Sequence, residues 1–538
     1  MADEPTPESQ SPLKRRIDRR TMVGSTLAAA SVAVAYAALG DKLGLFSGDG
    51  ISSVISPEAR GDTDAIKNES VQVSHLLRRV GFGVTREEHD RYQTLGLEKT
   101  LDEVIKYTSV DDSAALALAG QIDLAPDNRA APILWWTIRM ANTKRPLQEK
   151  LTVFWHGLLT SQISVVRDPT AMVPQNEFFR SHATAPFPEI LRGLWRDPAM
   201  MVYLDMDGST RRSPNENFAR ELMELYSLGE GNYTETDVRE ASRVFTGWRV
   251  PRNRIDQNTF TLQAPVFQQQ AFDAGPKTFL GQTGNFAPDD IVNIIVQQPA
   301  TAPYIVGKLF SFFVFPEPSE QDIAPFIKVY NDSGHDVGAT VEAMLRSDIF
   351  FSPRAYRALV KSPLEYAIGA LKALELNTSI AQTLVQPGGG GLNRGAGVLG
   401  EMGQIPFEPP NVAGWPGGIH WLNSATIFAR LNYLNTVTGG GSILQPTVPS
   451  ARTPQQQQRQ QQANRQQPQQ NVQPQIGNFG TAAQALDHFL PLALDSNLPD
   501  GARDVFLDYA GGADKQLDAG QLRGLVYLIL GSPQFHLA

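Results

Sequence analysis

The sequence predicts a mainly α fold, a multi-helix globular body with a small β/loop excursion near 250–285 and a disordered Gln-rich insertion. Three observations predict it. Apolar residues recur at helical spacing along most of the chain, which is the pattern of amphipathic helices packed on a core. With 538 residues, 41% hydrophobic and 19% charged, the chain has enough apolar mass for a sizeable core and too little charge for global disorder. The 45 glycines and 37 prolines break it into many short elements rather than long coiled coils.

Taken in order, the N-terminus comes first. Lys14 to Arg20 holds five positive charges and one negative, and an uncharged Ala-rich run from Thr21 to Gly40 follows. Arg19-Arg20-Thr21-Met22-Val23 resembles a twin-arginine export motif, so residues 1–40 read as an export signal. Ala35-Tyr36-Ala37 offers a cleavage site, or the run stays as an anchor of about 20 residues. Either fate puts the body outside the cytoplasm: periplasmic, secreted or membrane-anchored. Membrane contact is expected only through this segment. Residues 41–70, rich in Gly, Ser, Asp and Ala without periodicity, read as a flexible spacer.

The helical body is expected over 71–453. Pro146 can occupy a first helical turn, and Leu147, Leu151, Phe154, Trp155 and Leu158 form one stripe behind it. Scattered phenylalanines among turn formers mark the excursion that follows Val250. Residues 454–475 are nearly all Gln with Pro, Arg and Asn, a composition that cannot offset its ordering entropy. Helical patterns resume over 476–538 and are expected to complete the body.

Several chemistries are excluded or weakened. Zero cysteines remove disulfides, thiolate nucleophiles and cysteine metal sites. A formal charge of −9 argues against a nucleic-acid partner. No His-Glu-x-x-His, Walker A or G-x-S-x-G sequence is present. Gly395 to Gly400 matches G-x-G-x-x-G, yet a glycine run precedes it where a dinucleotide site needs a strand.

The richest stretch runs from Asn215 to Leu228. At 100° per residue, Glu216, Asn217, Arg220, Glu221 and Glu224 share one side, and Phe218, Leu222, Met223 and Tyr226 share the other. One reading is a solvated ladder of i,i+4 pairs around Arg220. The other is a cleft wall in which Glu221 and Glu224 hold a cation or act as general base and Arg220 orients an anion. Thr234 to Asp237 forms a capping box that starts the next helix. His156 shares a stripe with Glu149 and Thr152 and is either an acid/base group or a half-buried structural histidine. Arg78 and Arg79, one turn after His75, either bind a phosphate or sulfate or complement a helix C-terminus. In the loop from Pro409 to Trp421, Trp415 and Trp421 flank Gly and Pro; such a loop can stack on sugar rings or partner chains, or plug a helical core.

Together these stretches resemble a bacterial exported family catalogued as a domain of unknown function, number eighteen hundred. The resemblance rests on His75 to Gly83, Phe154-Trp155-His156-Gly157, Gln175-Asn176, Asp197 to Met200, Asn215 to Leu228, Tyr233 to Trp248, Lys361-Ser362-Pro363 and the Gly414 to Trp421 loop. It implies a large, mainly helical exported protein and supplies no reaction. The family pattern that this resemblance implies commonly has a second histidine where this chain has Leu158, and a His-Asp pair where it has Phe272-Asp273.

The expectation is an exported cell-envelope protein, acting as a metal- or carboxylate-dependent hydrolase through Glu221, Glu224, Arg220 and His156. His75, Arg78, Arg79, Asn215, Asn217, Trp415 and Trp421 are then its binding residues. The alternative is a non-catalytic envelope binding or assembly protein that uses the Trp415 to Trp421 loop and the polar face of the Asn215 helix. The partner is a small molecule or an envelope protein; the sequence specifies neither a metal nor a cofactor.

Overall fold

The computed structural model describes residues 58–377, 392–439, 476–477 and 479–538. The signal at 1–40, the first part of the 41–70 spacer and the Gln-rich stretch at 454–475 lie outside the described residues. The architecture is mainly α. Regular structure begins earlier than Val71: 3₁₀ turns occupy Glu58–Arg60 and Thr63–Lys67. Asn68 then caps the helix Glu69–Val80 by accepting the Ser70 N–H. The end of the expected spacer is thus part of the body, because Arg60 donates to the carbonyls of Pro353, Arg354 and Tyr356 and ties the segment down.

Local rules explain most helix limits. Pro146 stands at the start of the helix Pro146–Leu158, where its missing N–H costs no hydrogen bond. Thr234 and Asp237 form the reciprocal capping box of the helix Glu235–Val244. The Asn215 stretch is helical only over Asn217–Glu224. Its last turn loosens into wider bonds, Tyr226 N–H to Glu221 and Leu228 N–H to Met223, which turn the chain toward Gly229. Gly395 and Gly400 fall inside the helix Leu392–Glu401, so that G-x-G-x-x-G is no phosphate loop.

Among the described residues the β structure is confined to three antiparallel two-stranded ribbons. Trp248–Arg249 pairs with Val266–Phe267, Arg252–Arg254 with Phe260–Leu262, and Lys277–Phe279 with Gln282–Gly284. Asp273 ties this region to the helix Glu235–Val244 through an ion pair with Arg243 at 2.8 Å.

The largest apolar core joins Leu76, Trp155, Phe187, Phe218, Phe245, Phe310 and Phe350, drawing on helices from Glu69 to Leu345. A second core unites the helix Pro363–Ala373 with the helices Ala482–Leu494, Ala502–Ala510 and Ala519–Leu530. A third surrounds Trp136, Met172, Ile368 and Phe407. The C-terminal helices therefore pack on the body across the Gln-rich stretch. Among the described residues no helix is long and apolar enough to cross a membrane.

Candidate functional site

Five of the stretches that carry the family resemblance converge on the turn that ends the helix Pro146–Leu158. A Cβ placed on Gly414 would lie 2.1 Å from the carbonyl oxygen of Gly157, and the Trp415 ring lies 3.8 Å from the corresponding point on Gly157. This backbone approach excludes any side chain at 414. Thr160 donates to the Gly157 carbonyl at 3.1 Å and accepts from the Tyr226 hydroxyl at its own carbonyl at 3.3 Å. Ser161 donates to Gln175, Gln175 to Asp197 at 2.7 Å, and Asp197 caps the Met200 N–H at 2.7 Å. Burial pushes the Asp197 carboxyl up to about 6, since a charge without a cation is poorly solvated there.

His156 lies at the centre of this zone, inside an aromatic box. Its ring centroid is 5.4 Å from Trp136, 5.3 Å from Phe407 and 5.7 Å from Trp415. Nε2 accepts the Phe407 N–H at 3.2 Å, and Nδ1 is buried without a partner. Burial pushes its pKa down to about 3, so the imidazole is neutral. Glu149, one face of the same helix away, bonds elsewhere. It accepts from Trp136 Nε1 at 3.0 Å and from Arg180, which also reaches Asn176 at 2.6 Å, while Arg139 stands 3.5 Å off. The sequence placed Glu149 on the His156 stripe but offered no sign of Arg180 and Arg139, which arrive from other helices.

The carboxylate helix presents two environments. Arg220 faces outward, bonding Glu235 at 2.7 and 2.9 Å and Glu216 at 3.2 Å. It is the solvated ladder, and those pairs raise its pKa, the Glu235 hydrogen bonds most. Asn215 accepts the Asn217 N–H at 2.9 Å, and Asn217 donates to Asp205 at 3.0 Å, so both help shape the helix start. Glu221 and Glu224 are half-buried. Burial first, then the Glu224 charge, raises the Glu221 carboxyl. Glu224 accepts the Tyr233 hydroxyl at 2.6 Å, and Tyr304 donates to the Leu225 carbonyl at 2.6 Å. Tyr203 stands near both Glu221 and Glu408; burial and these two charges push its phenol up to about 12. Glu408 in turn accepts Gln162 Nε2 at 3.0 Å and the Ser164 N–H at 3.1 Å. The result is a half-buried patch of carboxylates and tyrosines next to the point where Gly414 packs on the Gly157 turn.

The expected catalytic set is therefore divided. Glu221 and Glu224 stand together, Arg220 pairs toward solvent, and the hydrogen-bonding atom of His156 that has a partner is held by Phe407. Among the described residues no three His, Asp or Glu side chains are grouped to hold a metal. The two tryptophans also separate. Trp415 is half-buried on His156, whereas Trp421 is buried and its carbonyl accepts the Thr426 hydroxyl at 3.0 Å.

His75, Arg78 and Arg79 stand on the helix Glu69–Val80. His75 is buried with Nε2 3.0 Å from the Phe350 carbonyl oxygen. Arg79 is buried and donates to the Ala355 carbonyl. Nη1 of Arg78 donates to both Asp495 carboxylate oxygens at 2.5 Å, linking the first helix to the C-terminal segment. Asp495 was not foreseen, because 417 residues separate it from Arg78.

No curated protein and no solved structure matches the chain. A family model described as "Protein of unknown function (DUF1800)" matches residues 75–537. That span takes in every motif gathered at the Gly157 turn and the carboxylate patch beside it, and the chain belongs to the DUF1800 family.

Proposed function

We propose that the chain is exported and acts at the cell envelope as a binding protein for a polyhydroxylated polymer. The contact surface is the carboxylate–tyrosine patch and the loop that begins at Gly414. One observation carries the reading: half-buried Glu221 and Glu224 lie among Tyr203, Tyr233 and Tyr304. Carboxylates accept hydrogen bonds from sugar hydroxyls, and tyrosine and tryptophan faces cover the apolar side of a sugar ring. The basic, Ala-rich N-terminus supports the location. The loop supports the surface: its base is fixed on Gly157, while Pro416, Ile419 and His420 are exposed.

A second reading, carboxylate-dependent hydrolysis, is favoured by the raised Glu221 carboxyl beside Glu224, since a general acid needs a pKa moved toward neutrality. Isolated peptidoglycan sacculi distinguish the two. Co-sedimentation of the wild-type protein, lost in Glu221→Gln/Glu224→Gln and weakened in Trp415→Ala, is the result expected for binding. Release of soluble fragments that stops in Glu221→Gln would establish hydrolysis. Failure of the wild-type protein to sediment with sacculi would remove the binding proposal.

A further inference from the structure

A cleft opens between the helix Arg86–Leu95 and the chain that leads into the helix Pro146–Leu158. Its cavity of about 250 Å³ is close to the lower bound of small-molecule sites, about 300 Å³. Leu77, Val84, Tyr92, Val110 and Pro146 supply an apolar lining. The segment from Thr143 to Arg145 is held in place by its own bonds. Asp112 accepts the Lys144 N–H at 2.6 Å and the Thr143 hydroxyl at 3.0 Å, and Arg145 donates to the Val110 carbonyl at 2.7 Å. Walls fixed in this way reduce the ordering cost of binding.

The charged lining carries three carboxylates, Glu87, Glu88 and Glu103, and three cations, Arg91, Lys144 and Lys372. They differ in what they can still bind. Lys372 is buried and reaches Glu88 at 2.9 Å, and Glu88 also accepts the Thr85 N–H at 3.0 Å. That pair is satisfied within the fold. Glu87 is exposed, and among the described residues no ion pair joins it to a cation. Lys144 is exposed and spends one long contact, 3.3 Å, on Glu88, which leaves ammonium donors to spare. Arg91 is exposed as well, lying over the Tyr92 ring at 4.8 Å and donating to Glu103. The lining is therefore neutral as a set, with accessible charges of both signs beside an apolar surface. A ligand of net charge meets as much repulsion as attraction there, whereas a dipolar one can oppose both signs.

We propose that this cleft binds a small zwitterion with an apolar body, the chemistry of a free dipeptide. The ligand sets its ammonium against Glu87, its carboxylate against Lys144 and Arg91, and its apolar side chains against Leu77, Val84 and Val110. The cleft shares no residue with the carboxylate–tyrosine patch and does not depend on the polymer-binding reading.

Leucyl-leucine is the probe, titrated into the full-length chain by calorimetry at two temperatures, since apolar burial makes the binding heat temperature-dependent. Saturable binding at millimolar peptide is expected. N-acetylation or C-amidation of the peptide should each lower the affinity about two- to fivefold, the worth of one partly exposed charge contact. Glu87→Gln should weaken leucyl-leucine by a similar factor and leave the N-acetylated peptide unaffected. Lys144→Gln should weaken leucyl-leucine and leave the C-amidated peptide unaffected, because each pairing of variant with capped ligand removes the same contact twice. Circular dichroism establishes that the variants are folded; Glu87 makes no ion pair within the chain, so that arm decides should Lys144→Gln lose stability. Absence of saturable heat at both temperatures overturns the proposal. So do equal affinities for free and capped peptides, unchanged affinity in Glu87→Gln, and a loss in that variant as large for the N-acetylated peptide as for the free one.

Discussion

Replacing Gly414 by alanine tests the joint between the loop and the Gly157 turn. Gly414 has φ +79°, and an added Cβ would stand 2.1 Å from the Gly157 carbonyl oxygen, 3.2 Å from its carbonyl carbon and 3.3 Å from Thr160 Oγ1. A left-handed conformation costs an alanine about 1–2 kcal/mol, and forcing a packed contact apart adds about 1–3 kcal/mol. Gly414→Ala should therefore weaken docking of the loop by about 2–5 kcal/mol. Gly157→Ala is the matched control. Its Cβ meets only Trp415 ring atoms at 3.8 and 4.0 Å, and alanine in a helix is better than glycine by about 1 kcal/mol. Hydrogen–deuterium exchange reads the difference at two amides, Gly414 N–H bonded to Asn411 and Phe407 N–H bonded to His156. Each ~1.4 kcal/mol of lost docking speeds exchange about tenfold, so the Gly414 variant should exchange at least tenfold faster there and the Gly157 variant should not. Wild-type exchange in Gly414→Ala would refute the steric argument, as would equal damage from Gly157→Ala.

Two further outcomes follow from the buried polar groups. Glu149→Gln removes the buried charge that Arg180 and Arg139 face, but Glu177 still pairs with both, so the change should cost about 1.5–3 kcal/mol in urea unfolding at neutral pH, the worth of hydrogen bonds to a charged group. Burial raises the Glu149 carboxyl, but Arg180 first and Arg139 after it outweigh that and hold it below its ordinary value. Its contribution is therefore complete above the unfolded carboxyl pKa and lost as pH falls through the lower folded value, so the variant should show a flatter acid limb; an unchanged limb would contradict the pairing. His156→Phe should flatten the stability profile between about pH 6.5 and 3. Burial holds the folded imidazole at about 3, so the wild type loses up to about 1.4 kcal/mol per pH unit across that window as the unfolded chain takes up the proton. A wild-type slope surviving in His156→Phe would show that His156 is not the buried neutral group described above.

Much of the scaffold was readable because its causes are local. The stripe after Pro146, the Thr234 capping box and the weak β content near 250–285 depend on spacing within a few residues. Limits set by packing were not readable. The helix expected across Asn215 to Leu228 stops at Glu224 because its C-terminal turns adapt to the Thr160 and Gly229 contacts. The expected spacer becomes ordered from Glu58 because Arg60 meets carbonyls some 290 residues away.

The sequence by itself determined the helical class, the absence of cysteine chemistry and the amphipathic face holding Glu221 and Glu224. All of these follow from composition and from period, properties that survive in the unfolded chain. Only the tertiary structure decided the roles within those patterns. It turned Arg220 to solvent, sealed His156 between Trp136, Phe407 and Trp415, seated Gly414 on Gly157, and set Arg78 against Asp495. Each depends on partners between about 15 and 417 residues distant. The helical period fixes which face a side chain occupies, but burial and charge compensation depend on what another part of the chain brings against that face.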